Sequence, residues 1–310
     1  AMTEQTPLTS LLKSQIQATG PLTVPEFMTL ALQHPDHGYY RQREAIGAAA
    51  DFVTAPEISQ VFGELVGLWL VQRWIDLGQP SRVLLLEFGP GKGTLMADAL
   101  RAASAMPGFL TAVELVLVET NQTLREVQAD TLSAYSPLWI ESLSAFEADA
   151  PVLVIGNEFI DVLPTAQFAV ANGQWFERLV ALDEAGELAF VLGQPKTPVL
   201  PLLPKPEDGL FYEIMPSLPG FLKDLSGILR AHAGAALFID YAHDGAAAGW
   251  SLQAIQNHEK VDPLAAVGEA DLTTLVDFEA AGTFAAEVGL TAPAPVTQRD
   301  FLLVLGAWQR

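Results

Sequence analysis

The residues with the clearest chemical meaning are Glu87, Gly89, Pro90, Gly91, Gly93 and Thr94, in the run Leu84-Leu85-Leu86-Glu87-Phe88-Gly89-Pro90-Gly91-Lys92-Gly93-Thr94-Leu95-Met96. Three glycines at alternate positions can take positive φ and offer a backbone bare of Cβ atoms, so a ligand can lie against the turn itself. Spacing narrows the ligand. A dinucleotide fingerprint starting at Gly89 needs glycine or alanine where Thr94 stands, and a phosphate loop ending in Gly93-Thr94 needs lysine at 93. Both patterns fail. A second acid, Glu119, follows the apolar run Leu115-Val116-Leu117-Val118. A carboxylate at that strand tip can take both hydroxyls of an adenosine ribose. Asn157-Glu158 and Asp240 also close apolar runs. A lone glycine triplet is most often an ordinary strand-to-helix turn; with Glu87 before it and Glu119 after it, the reading moves to a nucleoside-type cofactor.

The elements that must position these groups follow from periodicity. From Val83 onward the pattern alternates: strand 83–88, helix 94–104, strand 113–119, helix 122–133, a short segment at Trp139-Ile140, and strand 152–155. Such alternation predicts an α/β fold with a mostly parallel sheet covered by helices on both faces, binding ligands at the strands' carboxyl ends. The glycine turn, Glu119 and Asn157-Glu158 all fall at such ends. Between about 165 and 195 the pattern changes to short β-like runs separated by Asn172-Gly173 and Asp183-Glu184-Ala185-Gly186, which predicts inserted antiparallel strands. An aperiodic, proline-rich stretch covers 195–206. The core is expected to resume with a helix over 217–232 and a strand over 236–241. Residues 242–275 read as a lid or substrate loop, Asp271-Leu272-Thr273 as the start of a helix running through Phe278, and 290–295 with 301–305 as a closing strand pair.

Upstream, residues 8–20 carry Leu8, Leu11, Leu12 and Ile16 at helical spacing, and Thr23 through Glu26 reads as a capping box opening a second helix. These two helices are expected to cap the core. Thr54, Pro56 and Glu57 have the spacing of an N-cap, a first-turn proline and a capping-box partner. The organisation expected is therefore residues 1–80 as helical cap and closing segment, and 81–310 as core.

Composition bounds the partners. The 310 residues hold 37 Asp and Glu against 16 Lys and Arg, a formal charge of −21. That surface repels nucleic-acid phosphates and anionic lipid and favours a basic protein partner. There is no cysteine, which excludes disulfides and thiolate metal sites. No unbroken apolar run reaches the roughly 18 residues of a membrane span. No signal or transit pattern stands at the N-terminus, and a cytoplasmic, bacterial setting is expected. His37, His243 and His258 lack metal-ligand spacing and read as hydrogen-bonding loop residues; no metal is expected.

The E-x-G-x-G-x-G pattern resembles the first motif of class I S-adenosylmethionine (SAM) methyltransferases. Further stretches, His34-Pro35-Asp36-His37-Gly38-Tyr39-Tyr40, Asp51 to Glu64, Gly156 to Pro164, Ile239-Asp240-Tyr241, Leu252-Gln253-Ala254, Asp262-Pro263-Leu264 and Gly268 to Thr273, extend the resemblance over essentially the whole chain. The family they resemble is the MidA-like SAM-dependent methyltransferases, whose mitochondrial members are arginine methyltransferases assisting assembly of respiratory complex I. Three positions depart from it: Ala50 and Ala242 replace glycines, and Gly249-Trp250-Ser251 replaces Gly-Asp-Thr.

The resemblance implies a Rossmann-like class I sheet and SAM as cofactor. The glycine loop, with Glu87, Pro90 and Thr94, would take its methionine end, Glu119 its ribose, and Thr54, Pro56 and Glu57 would close over it; Asn157 joins this expected set. It also implies transfer to an arginine of a protein such as a respiratory-complex subunit. A guanidinium must be oriented and relieved of a proton by carboxylates, for which Glu158, Asp161 and Asp240 are the candidates. Asp161 can equally cap a turn before Pro164, and Asp240 can be structural. A SAM-dependent enzyme for a small molecule, a SAM-binding assembly chaperone without turnover, and a Rossmann oxidoreductase are the alternatives. A homodimer is compatible with the inserted strands.

Overall fold

The structure is a computed structural model that describes residues 5–42, 55–199, 203–243 and 249–307. Thr54 and Ala50 lie outside these described residues. The chain opens with α1 (Pro7–Thr19), β1 (Leu22–Thr23), α2 (Val24–Gln33), α3 (Tyr39–Gln42), α4 (Ala55–Ile58) and α5 (Gln60–Asp76). It continues through β2 (Val83–Phe88), α6 (Thr94–Ala103), α7 (Phe109–Ala112), β3 (Val113–Val118), α8 (Gln122–Thr131), β4 (Leu138–Ile140) and β5 (Val152–Asn157). Then come β6 (Ala166–Ala171), β7 (Gln174–Leu182), β8 (Leu188–Pro195), β9 (Phe211–Ile214), α9 (Leu218–His232) and β10 (Gly234–Ile239). The last elements are β11 (Gln253–Gln256), β12 (Glu259–Val261), β13 (Asp271–Thr273), α10 (Phe278–Glu287) and α11 (Gln298–Val304).

Two compact units share the chain: Ala1–Glu44, Asp161–Ser217 and Ala242–Val276 form the first, and Ala45–Ile160, Leu218–Tyr241 and Asp277–Arg310 the second. The second unit is built on a five-stranded sheet in the order β10-β5-β2-β3-β4, parallel at every pairing. Alternate residues serve opposite faces. Val83, Leu85, Leu115, Leu117, Leu153 and Ile155 meet Phe62, Val66 and Leu70 of α5 and Leu95, Met96 and Ala99 of α6 in one buried cluster. Phe88 and Phe238 turn to the other face, where Phe221 of α9 stands edge-on to both rings. Close approach of α5 to α6 depends on glycine: a Cβ at Gly67 would lie 2.3 Å from the Ala99 carbonyl oxygen.

Register decides where the functional groups go. Phe88 lies beside Val118 and Gly156, and Ile239 beside Asn157. The next residues along, Gly89, Glu119, Glu158 and Asp240, therefore emerge from one edge of the sheet. The chain builds outward from β2 through β3 to β4, then crosses to β5 on β2's other side, so the topological switch point lies between β2 and β5, where this fold type opens a ligand crevice.

In the first unit, β7 pairs antiparallel with β1, β6 and β8, and β9 adds to β6. Thr23 caps α2 with the full capping box to Glu26. Phe27, Met28, Leu32, Val180 and Leu272 are among the residues of this unit's core.

Three expectations are corrected. Asp271-Leu272-Thr273 is a strand, paired with β11 in a small three-stranded sheet, rather than the start of a helix. The helix begins seven residues on, where Asp277 caps α10 by accepting the Ala280 N–H. Phe301 to Val304 belongs to a helix capped by Thr297 and not to a closing strand pair, and 290–297 carries no regular structure, so among the described residues the parallel sheet has no antiparallel closing strands. The stretch after the proline-rich loop contains the additional strand β9.

Candidate active site

The glycine bend leaves β2 and enters α6 with all three glycines at positive φ: +58° at Gly89, +54° at Gly91 and +84° at Gly93. A Cβ at Gly91 would meet nothing within 4 Å, and one at Gly89 only the Phe159 ring at 3.8 Å. The bend is therefore open at Gly89 and Gly91 on the side their missing side chains would occupy, whereas a Cβ at Gly93 would lie 3.0 Å from Leu132 Cδ1. Gly93 is the N-cap of α6, tied back by its N–H to the Pro90 carbonyl at 2.8 Å. Pro90 is buried.

Glu57 reaches this bend from α4. Its Oε1 accepts the Thr94 hydroxyl at 2.7 Å, and its Oε2 lies 3.4 Å from Lys92 Nζ. The neighbouring Pro56 is buried, and the Ala55 N–H donates to the Glu158 carboxylate. One short helix thus bonds both to the helix that follows the bend and to Glu158.

Behind the bend, Glu87 is 2% exposed and its Oε2 has no hydrogen-bond partner among the described residues. Burial pushes its carboxyl up to about 8, so it is neutral at neutral pH. Glu119, one strand over, is half-buried, with Oε1 accepting the Asn121 N–H at 2.8 Å and Oε2 the Gln128 amide at 3.3 Å.

Glu158 follows β5 in a left-handed backbone conformation, φ +51°, uncommon for a residue with a side chain. Its N–H is fixed to the Ile239 carbonyl at 2.8 Å. Burial first, and then the negative charge of Asp240, push its carboxyl up to about 7, while the Asn157 side chain and the Ala55 N–H pull the other way. Asp240 is itself anchored: Oδ2 accepts the Ile160 N–H at 2.8 Å and Oδ1 the Tyr241 N–H at 2.9 Å. It holds the Glu158 turn and supplies that turn with a fixed charge. Such strain and pKa perturbation are features of reactive positions.

In the second unit, then, Pro56, Glu57, Glu87, Gly89, Pro90, Gly91, Gly93, Thr94, Glu119, Asn157, Glu158 and Asp240 belong to or adjoin the strand-tip edge. Asp161 lies in the first unit, 4% exposed, where its carbonyl accepts the Thr274 N–H and the Thr165 and Thr274 hydroxyls meet at 2.9 Å. Sequence reasoning missed Gln128 and Trp139. The available signal was a polar residue one turn after Leu124, on the apolar stripe of α8.

A sulfonium nucleoside fits the residues present: an open, side-chain-free bend, a half-buried carboxylate held at the adjacent strand tip, and a buried carboxyl oxygen still lacking a partner. Among the described residues no group of three His, Asp or Glu is placed to hold a metal, and no helix is long and apolar enough to cross a membrane.

This fold, with its ligand edge at the switch point of a parallel sheet, is that of Rossmann-like class I methyltransferases. A solved protein from Burkholderia thailandensis bound to S-adenosyl-homocysteine has the same fold, with a TM-score of 0.78 at 24% identity over 97% of this chain and 81% of that one. Residues 65–296 match the model of the family described as "Putative S-adenosyl-L-methionine-dependent methyltransferase". The mitochondrial protein arginine methyltransferase NDUFAF7 of Mus musculus is 36% identical across 97% of this chain and 74% of its own length, and that of Danio rerio 34% across 95% and 75%. The chain belongs to this methyltransferase family, as its MidA-like resemblance implied.

Proposed function

We propose that this protein transfers the methyl group of SAM to an arginine guanidinium of a protein substrate. The observation that carries the proposal is Glu158: a carboxyl beside the open glycine bend, strained in backbone, and poised to ionise near neutral pH. The arginine activity of the NDUFAF7 relatives and the S-adenosyl-homocysteine bound by the structural neighbour support the same reading.

The bend at 89–93 would hold the methionine end of SAM, Glu119 the ribose hydroxyls, and Glu57 the bend itself through Thr94. When bound, SAM supplies a methyl group on a sulfonium sulfur, open to in-line displacement. The chain's own task is to orient the nucleophile and take its proton. The Glu158 carboxylate accepts N–H bonds from the guanidinium, fixing its plane, and receives the proton that the attacking nitrogen releases. A base with a pKa of about 7 is half ionised at neutral pH, the balance of availability and strength that proton transfer favours. Asp240 is a positioning residue: it keeps Glu158 in its turn and raises its affinity for the proton. Asp161, whose backbone carbonyl accepts the Thr274 N–H, is assigned no proton step.

The acidic surface suits a basic protein partner, which we take to be a respiratory-complex subunit met in the cytoplasm of a bacterium. The test is to incubate purified protein and cell extract with methyl-labelled SAM, hydrolyse the labelled proteins and separate the amino acids. Label should be recovered as methylarginine and vanish with Glu158→Gln, while SAM binding persists. Label confined to small molecules, or absent, would overturn the proposal.

A further inference from the structure

Gln128 is a fully buried polar residue of α8, 0% exposed, in a helix whose other buried residue is Leu124. A buried amide is costly unless its donors and acceptor are used, and here both ends of the amide are used, the NH₂ on the bend and the neighbouring acid. Its Nε2 donates to the Gly91 carbonyl at 2.7 Å and toward the Glu119 carboxylate, Oε2, at 3.3 Å. Its Oε1 accepts the Trp139 indole N–H at 2.8 Å. An indole nitrogen can only donate, so Trp139 settles which end of the amide is oxygen and forces the NH₂ toward the bend and the acid.

We propose that Gln128, oriented by Trp139, is the positioning residue that couples the glycine bend to the ribose-binding carboxylate. It would set the distance between the two halves of the cofactor site before any ligand arrives. The geometry is specific to this role. Gly91 sits at the apex of the bend and Glu119 at the tip of the next strand, and one amide donor group bridges them. The far oxygen of Glu119 is held separately by the Asn121 N–H at 2.8 Å, and the Glu119 carbonyl by Arg125 Nε at 2.8 Å. Backbone and both carboxylate oxygens of Glu119 are therefore fixed, leaving the carboxylate's remaining lone pairs for a diol. The proposal rests on the reading of the bend and Glu119 as the SAM site given above.

The test is calorimetric titration of S-adenosyl-homocysteine into wild type, Gln128→Met, Gln128→Glu, Trp139→Phe, the double variant Gln128→Met with Trp139→Phe, and Glu119→Ala. Melting temperatures, and the Trp139 indole N–H resonance in the unliganded protein, are recorded alongside. Losing a buried hydrogen bond to a charged partner is worth roughly a tenfold change in binding or more. Gln128→Met should weaken binding by about that factor and shift the Trp139 resonance before ligand is added. Trp139→Phe should weaken binding less, and the double variant no further than Gln128→Met alone, because Trp139 acts only through the amide. Gln128→Glu keeps the shape and the indole bond but aims an oxygen at two acceptors, so its loss should grow as pH rises.

Gln128→Met with unchanged affinity and a lowered melting temperature would make Gln128 a packing residue and overturn the proposal, as would additive losses in the double variant. Should Gln128→Met fail to fold, Gln128→Glu and Trp139→Phe decide by the same criteria. Glu119→Ala separates the two readings. Weaker binding there with no effect at Gln128 sinks only the coupling, whereas unchanged binding at Glu119→Ala removes the ribose assignment and the coupling with it.

Discussion

Replacing Glu87 by glutamine should change the pH dependence of stability more than stability itself. Glu87 is enclosed at the end of β2, 2% exposed, with Oε2 unbonded among the described residues, and burial raises its carboxyl from the ordinary 4.5 to about 8. The sign follows from proton counting: between those two values the unfolded chain has released the proton and the folded chain still holds it, so unfolding becomes easier as pH rises. At about 1.4 kcal/mol per pH unit inside the window, the stability lost between pH 5 and pH 8.5 is about 4 kcal/mol. Glutamine has the same shape and does not titrate. Urea unfolding of both proteins at several pH values should give a wild-type curve that falls toward alkaline pH relative to the variant, so that Glu87→Gln is relatively most favourable near pH 8.5. Parallel curves would refute the reasoning, since they would mean that Glu87 is already ionised in the folded protein.

Methyl transfer by wild type should rise with pH through about 7 as Glu158 ionises, and Asp240→Asn should move that limb to lower pH by removing the neighbouring charge; a rate profile with an unshifted limb would argue against the pairing. Gly67→Ala should destabilise by roughly 1–3 kcal/mol, because its methyl must displace the Ala99 backbone, and urea midpoints would show it. In the first unit, Arg178 lies with its guanidinium carbon 3.6 Å from the Phe190 ring centre and 4.0 Å from that of Trp250. Trp250→Ala should cost about 1–2 kcal/mol in thermal or urea unfolding, in keeping with a desolvated cation–π contact.

The parallel core was legible in the sequence because its longer strands are mostly apolar runs alternating with helices, and Glu87, Glu119, Glu158 and Asp240 mark where those runs stop. The same logic misjudged the C-terminal part of the chain. Asp271-Leu272-Thr273 and Asp277-Phe278 both carry an acid followed by apolar residues, and local chemistry does not say which begins a helix; pairing with Gln253 to Ile255 does. The run Phe301 to Leu305 is apolar without alternation, and only the Thr297 cap with Asp300 marks it as helical. The glycine bend and Glu158 were visible as motif and strand tip, but the raised pKa of Glu158 comes from its burial in the folded chain and from Asp240, distant in sequence, and its backbone N–H is fixed by the equally distant Ile239. Gln128 was hidden for the same reason: its partners Gly91 and Trp139 lie 37 residues before it and 11 after it.

The central claim is that the side-chain-free bend at 89–93 holds a sulfonium nucleoside. Calorimetric titration of S-adenosyl-homocysteine into wild type and Gly91→Val measures it directly. Binding by wild type and its loss in the folded variant, whose added side chain fills the open side of the bend, is the predicted result; equal affinity in both proteins would contradict the claim.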